Sequence, residues 1–437
     1  MNFIDQIRNA GVVGCGGAGF PTHVKASSKA EYVVVNSAEC EPLLHKDLEL
    51  MIREPEAIVN GIKLMMAATG AKQGIIGVKK KYEEKIGNLK AALHGTNISI
   101  HFLGDFYPTG DEYVLVYETT KRLIPPQGIP LDVGVVVNNV ETIKNLHLAA
   151  QGRPFTTKFI TVAGAVVHPS TLEVPIGISF ADVIQAAGGA KVSDYAVFIS
   201  GMMMGKLTSD LTLPITKTCA GLIILPKSHR LVQRKSLAMN SMLRIGKSAC
   251  DQCSFCTEFC PRYLLGYDVQ PHKVMRSLSF TATGEDIWSK WAQLCCACGL
   301  CTLYSCPEEL YPKEACDKAK TDFRAKGLKW NGDRDVRIHP IYDGRHVPLK
   351  RLMDKLGVSE YDVPAHFAEK KFTPAQVRLP LVQHVGAPAI AVVSLGQQVK
   401  AGDVVADIPE GKLGARIHAS IDGRVKAVDG EIIIERI

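Results

Sequence analysis

At 437 residues, 46% hydrophobic and 22% charged, the chain exceeds what one hydrophobic core serves and reads as globular protein of roughly two to four domains. No apolar run approaches the ~18–20 residues of a membrane span, and the N-terminal MNFIDQIRNAG, with Asp5 early and no long apolar stretch, fits neither a secretory nor a transit signal, so a cytoplasmic chain without a transmembrane segment is expected. The net charge of +7 would imply nucleic acid only if basic residues clustered, and the densest run, Val78–Lys85, is balanced by two glutamates; no nucleic-acid partner is expected.

After the short amphipathic FIDQIRNAG comes GVVGCGGAGFPTHVK (Gly11–Lys25), with glycines at 11, 14, 16, 17 and 19. Glycines let backbone approach a phosphate or a flat ring closely, and loop amides can cradle an anion. The spacing is not GxGxxG and no strand precedes it, so alone it reads equally well as a plain turn. EYVVVNSAECEP (Glu31–Pro42) predicts a buried strand ending in a polar loop with Glu39 and Glu41. DFYPTGDEYVLVYE (Asp105–Glu118) predicts a turn carrying Tyr107, Asp111 and Glu112 ahead of a helix, and DVGVVVNNVETIKNL (Asp132–Leu146) predicts a second apolar strand running into a helix. Strand-end loops rich in Asn, Glu and Thr are where open α/β sheets bind ligands.

KFITVAGAVVHPSTLEVPIGISFADVIQAAGG (Lys158–Gly189) alternates apolar and polar residues, breaks at HPS and offers a short helix ended by Gly-Gly. With ISGMMMG and CAGLIILP it predicts a small β-grasp-like unit that resembles the SLBB domain. Met202–Met204 reads as core filling or an acceptor-facing patch in preference to a soft metal site. Cys219 reads as a small core residue.

Thirteen cysteines in a reducing compartment point to metal ligands before disulfides. Cys250, Cys253, Cys256 and Cys260 follow CxxCxxCxxxCP, and Cys295, Cys298, Cys301 and Cys306 follow CxxCxxCxxxxCP. Two-residue spacers wrap a loop so that three thiolates converge on one cubane, and in two-cluster ferredoxins the fourth ligand comes from the other motif. The expected sets are Cys250, Cys253, Cys256 and Cys306 for one [4Fe-4S] cluster, and Cys295, Cys298, Cys301 and Cys260 for the other. Zinc also suits CxxC pairs, but it takes two pairs and not two triplets each closed by Cys-Pro. Cys296, out of register, is expected beside a ligand or idle, and Cys316 in the core. Trp288 and Trp291 are expected to shield the second cluster.

Residues 326–375, charged and broken by prolines, read as a linker with one or two exposed helices, PLKRLMDKLGV among them. The last sixty residues are short strands punctuated by glycine and resemble a barrel-sandwich hybrid domain of the lipoyl-carrier kind. Ser420 and Ile421 stand where a carrier needs its lysine, so no swinging arm is expected.

GGAGFPT, NSAECEP, YPTGDE and VVNNVET, in this order, resemble the superfamily of the complex I flavoprotein subunit, the Rnf complex C subunit and the microcompartment cobalamin reductase of the propanediol-utilisation type. The C-terminal position of the barrel-sandwich domain favours the last of these; in the Rnf protein it is N-terminal. The resemblance implies FMN contacts at Gly14, Gly16, Gly17, Lys25, Asn36, Glu39, Tyr107, Gly110, Asp111, Asn138, Asn139 and Thr142. It implies that Phe20, Glu41 and Glu112 face NADH. Cys15 and Cys40 are expected to have no catalytic role.

The expected architecture is multidomain α/β plus α+β: an FMN/NADH-binding α/β domain at 1–155, an SLBB β-grasp-like domain at 157–227, a helical dicluster ferredoxin-like domain at 228–325, the linker at 326–375 and a barrel-sandwich hybrid at 376–437. The resemblance implies an NADH-dependent oxidoreductase passing electrons through FMN and two [4Fe-4S] clusters to cobalamin, in support of a B12-dependent diol dehydratase, with flavin-based chemistry and no catalytic side chain. Its expected partners are NADH, a corrinoid or corrinoid-handling enzyme and microcompartment shell or lumen proteins, in the cytoplasm or a bacterial microcompartment. The alternatives are an Rnf-like C subunit at the membrane and a cluster-only electron carrier.

Overall fold

The computed structural model describes residues 2–278, 290–332 and 335–437. The first unit is built on a four-stranded parallel sheet in the order Ile98–Leu103, Gln73–Lys79, Tyr32–Ser37, Val135–Asn139. Val33, Val34 and Val35 are all fully buried because helices cover both faces, which is why the strand reads as an unbroken apolar run without alternation. Val33 and Val35 face a core shared with helices Pro55–Thr69 and Val140–Ala150, while Val34 faces Leu115 and Val116 of helix Glu112–Thr120.

The strand order reverses between Tyr32–Ser37 and Val135–Asn139, so their carboxyl ends diverge into loops on either side of a crevice. Such a switch point is where open α/β sheets take ligands.

A second sheet runs Ser170–Pro175, Thr157–Gly164, Gly221–Pro226, Tyr195–Ile199, Lys206–Thr208, with helix Phe180–Ala186 packed on it. Its one parallel pair, Gly221–Pro226 beside Thr157–Gly164, sits among antiparallel neighbours. Cys219 lies buried in this core, as the sequence suggests.

Short helices enclose the cysteine motifs, among them Met239–Ala249, Phe255–Glu258, Pro261–Leu264, Pro271–Ser277 and Pro312–Ala325. Trp291 packs, half-buried, in the core that holds Cys306 and adjoins Cys295; Trp288 lies outside the described residues.

The segment read as a linker with an exposed helix differs from that expectation. Val347–Pro348 pairs antiparallel with Phe106–Tyr107, and helix Leu349–Leu356 buries Leu349, Leu352, Met353 and Leu356 beside Tyr107, Met203 and Cys298. Those positions recur at i, i+3, i+4 and i+7, the stripe of a half-buried helix, with Lys350, Arg351, Asp354 and Lys355 on the opposite side. Charge density masks the stripe.

The C-terminal unit is a four-stranded sheet, Gln376–Pro380, Glu431–Glu435, Gly423–Val428, Gln398–Val399, facing a three-stranded one, Ile390–Ala391, Val404–Asp407, Ile417–His418. Its interior is continuous with the first unit: Val405, Ala415 and Ile417 share a core with Ile7, Val12 and Val13.

Candidate functional site

The crevice is framed by the glycine loop and three strand-end loops. Gly16 lies against the Asn139 side chain, 3.4 Å from where its own Cβ would stand, and the Cys15 amide donates to Thr142 Oγ1 at 2.9 Å. Asn36 and Asn139 are register partners on the adjacent strands. Asn36 Nδ2 donates to the Gly110 carbonyl at 2.9 Å, which ties the YPTGDE turn to the sheet. Lys25 Nζ donates to the Val137 carbonyl at 2.8 Å, and Phe20 lies 6.0 Å from that ammonium. Gly14 is packed against the Phe20 backbone, whereas Gly17, at φ +84°, has no atom within 4 Å of a Cβ and is exposed. Asn138 is buried, and its amide nitrogen has no partner.

The acids divide by environment. Glu39, at φ 40°, accepts from the Asp47 amide at 3.1 Å with one oxygen, while the other is buried without a partner. Burial, followed by the charge of Asp47, pushes its carboxyl up to about 8. Burial also raises Glu112, opposed by Lys25, and lowers Lys25, opposed by Glu112. Asp111 caps helix Glu112–Thr120 by accepting from the Tyr113 and Val114 amides. The Glu41 carboxylate accepts from the Met203 and Met204 amides at 2.9 and 2.8 Å and anchors that loop.

Beneath the crevice lies an ionic network that no sequence pattern announces. Lys158 and Lys46 both pair with Glu141, Lys46 also pairs with Asp47, and Asn139 Nδ2 donates to Asp47 at 2.8 Å. Burial alone would raise Glu141, but Lys158 and Lys46 hold its carboxyl below the usual range. Asp47 and Glu141 each stand in the first turn of a helix, where acids read as solvated dipole partners. Only their convergence in space shows otherwise. Cys15 is buried and Cys40 half-buried, and desolvation pushes their thiols up to about 11 and about 12, so neither is a poised nucleophile.

The two cysteine loops share one backbone. In the first, Gln252 and Ser254 have positive φ on either side of Cys253; in the second, Ala297 and Gly299 do so around Cys298. Alternating handedness of this kind turns amides toward a common centre and suits an anionic sulfide cluster. The longer second spacer is also explained. Phe255–Glu258 is an α-helical turn, whereas Cys301–Ser305 is a π-helical one that takes up the extra residue before Cys306.

Cys250, Cys253, Cys256 and Cys306 line one partly open pocket, with His272 and Met275. Cys260, Cys298 and Cys301 are buried, and Cys295 half-buried, with Cys316 against Cys295. Four thiols around one cavity fit the donor chemistry of an iron–sulfur cluster.

Two contacts join the loops. Tyr107 Oη donates to the Cys298 carbonyl at 2.7 Å, and Arg262, which follows Cys260 and Pro261, pairs with Asp111 at 3.0 Å and stacks 3.5 Å over Tyr113. Nothing local in the sequence marks Arg262, because its partner lies far away in the chain.

Family models described as the Nuo51 FMN-binding domain, the SLBB domain, the 4Fe-4S dicluster domain and the RnfC barrel sandwich hybrid domain match residues 7–148, 159–207, 249–311 and 365–435. The cobalamin reductase PduS of Salmonella typhimurium is 42% identical over 98% of this chain and 95% of its own length. The chain belongs to the cobalamin reductase PduS family. The Citrobacter freundii member is 40% identical over the same shares. The C subunit of the proton-translocating ferredoxin:NAD(+) oxidoreductase complex of Clostridium ljungdahlii is 34% identical over 59% of this chain and 55% of its own. A crystal structure of an NAD+-reducing [NiFe]-hydrogenase aligns at 21% identity and TM-score 0.48, over 76% of this chain and 63% of that one. The PduS-like fold thus carries an FMN-binding domain, an SLBB domain, a dicluster domain and a barrel-sandwich hybrid in a mixed α/β chain, an oxidoreductase assembly. No helix among the described residues is long and apolar enough to cross a membrane.

Proposed function

We propose that this chain is an NADH-dependent cobalamin reductase, oxidising one NADH and reducing two corrinoid molecules by one electron each, with one proton released: NADH + 2 cob(II)alamin → NAD+ + H+ + 2 cob(I)alamin. The observation that carries the reading is the pair of contacts, Tyr107 to Cys298 and Arg262 to Asp111, that joins the switch-point crevice to the cysteine loops.

The residues that would hold FMN are Gly14, Gly16, Gly17, Lys25, Asn36, Glu39, Gly110, Asp111, Asn138, Asn139 and Thr142. Bound there, FMN accepts a hydride and releases single electrons, chemistry no side chain supplies, while iron–sulfur clusters relay one electron each. The open space at Gly17 leaves a face for a nicotinamide ring, with Phe20 and Glu112 both beside Lys25. Glu39 presents a buried, unpartnered oxygen, and burial pushes its carboxyl up to about 8, which suits it to take up the one proton that NADH oxidation releases once both electrons have left the site. The Lys46, Asp47, Glu141 and Lys158 network fixes Asn139 at the floor of the crevice. Tyr107 is part of the same wall, but its hydroxyl is directed to the cluster loop.

The two cysteine sets would hold one [4Fe-4S] cluster each. A bacterial microcompartment or the cytoplasm is the setting this reading implies, with diol dehydratase support as the role. The partial identity to the C protein of an ion-translocating complex favours, as the second reading, a component docked on a membrane assembly.

The test is an anaerobic assay of iron, sulfide and flavin, followed by titration with NADH and then cobalamin under a visible spectrum. Flavin bleaching by NADH and formation of the reduced corrinoid are expected. Colourless or zinc-only protein would overturn the reading. Bleaching by dithionite alone would favour a cluster-only carrier, and copurification with membranes the docked component.

A further inference from the structure

The two cysteine sets are not equivalent in their surroundings. The set Cys260, Cys295, Cys298 and Cys301 is tied to the crevice at both ends: through Tyr107 Oη to the Cys298 carbonyl, and through Arg262, two residues beyond Cys260, to Asp111. Tyr107 is 1% exposed and Arg262 7%, so both links run through protein and not through solvent. Phe106–Tyr107 is itself pinned by its pairing with Val347–Pro348.

The other set, Cys250, Cys253, Cys256 and Cys306, is walled by groups of the dicluster unit itself, His272, Met275 and Leu310 among them. It opens outward: Cys253 is exposed and Phe255 beside it is 41% exposed. The sets adjoin one another, because the helical turn Phe255–Glu258, which holds Cys256, packs against the turn Cys301–Ser305. Electron tunnelling weakens exponentially with distance and favours bonded paths over gaps, so an order is built into this arrangement.

Resting on the function proposed above, we propose that electrons enter the dicluster domain at Cys260, Cys295, Cys298 and Cys301 and leave from Cys250, Cys253, Cys256 and Cys306, where the acceptor approaches the Cys253 edge. Per NADH oxidised, two electrons travel this route singly, two acceptor molecules are each reduced by one, and the proton goes to solvent. Arg262 is a positioning residue for the entry side, holding Asp111 against the segment that follows Cys260.

Full-length protein reconstituted anaerobically as Cys298→Ala and Cys253→Ala decides the order by freeze-quench electron paramagnetic resonance and iron content. In Cys298→Ala, dithionite should reduce the remaining cluster while NADH reduces the flavin only. In Cys253→Ala, NADH should reduce the remaining cluster, and cob(II)alamin reduction should be lost. Rapid NADH-driven cluster reduction in Cys298→Ala, or full corrinoid reduction in Cys253→Ala, would overturn the order. Should either variant lose both clusters, the unaltered protein decides with an aqueous dysprosium chelate present: the signal appearing first after NADH should be the one the chelate does not broaden, and the reverse sequence overturns the proposal. If NADH leaves the flavin unbleached, the donor assignment fails by itself; light-driven reduction of the flavin then supplies the electrons, and the same comparison decides the order.

Discussion

Gly17 combines a left-handed backbone with an empty surround, a position where an L side chain costs about 1–2 kcal/mol locally and then projects over the crevice. Gly17→Val is expected to lose FMN while iron per chain stays at the parent level; flavin fluorescence after denaturation, beside an iron assay, checks this, and retained FMN would remove the loop from the site. Lys217 is a different kind of residue. Its ammonium is buried and donates to the carbonyls of Gly11 and Arg416 at 2.7 and 2.6 Å, so three units meet on one cation without a carboxylate among these contacts. Burial lowers it to about 7 from an ordinary value of 10.5. Between those limits the unfolded chain binds more protons than the folded one, so stability rises with pH from about 7 upward and carries a constant penalty below. Urea unfolding at about pH 7 and about pH 9 should show that rise, and Lys217→Met should flatten it; an unchanged slope would mean the lysine is hydrated. The glycine loop around Gly17 is legible in sequence, whereas the role of Lys217 is not, because a lone lysine in PITKTCAG announces no partner.

At the scale of elements, the cysteine spacings speak most clearly. CxxCxxC fixes a loop chemistry whatever surrounds it, and the one-residue difference between the two spacers has its counterpart in α- against π-helical turns. Strands are legible where burial on both faces leaves an uninterrupted apolar run, as in YVVVN. The helix Leu349–Leu356 misleads for a physical reason: half its residues are charged, and periodicity within eight residues is a weak signal next to composition. Its burial makes a sharp expectation. Leu352, 0% exposed, faces Tyr107, Met203 and Cys298 within the same core, so Leu352→Ala should cost about 2–5 kcal/mol and bring the 326–375 segment within reach of protease. Unchanged denaturant and proteolysis profiles would return that segment to the status of a tether.

Across the whole molecule, four family-like units are readable one by one, and their mutual arrangement is not. Contacts such as Glu41 with Met203, Lys217 with Arg416, and Arg262 with Asp111 join positions more than a hundred residues apart, which local pattern cannot pair. The C-terminal barrel is the largest such case. It is not an appendage: Val385 donates its amide to the Gly19 carbonyl, Gln383 accepts from the Lys217 amide, and Arg416 reaches Asn9 at 2.7 Å.

That closure sets a timetable for biosynthesis. At roughly 5–20 residues per second, the glycine loop leaves the ribosome well before the segment around Gln383 and Val385 that will buttress it has been made. The loop therefore gains its outer wall only once the C-terminal unit has been made and has docked, so the crevice is the last part of the first unit to be completed.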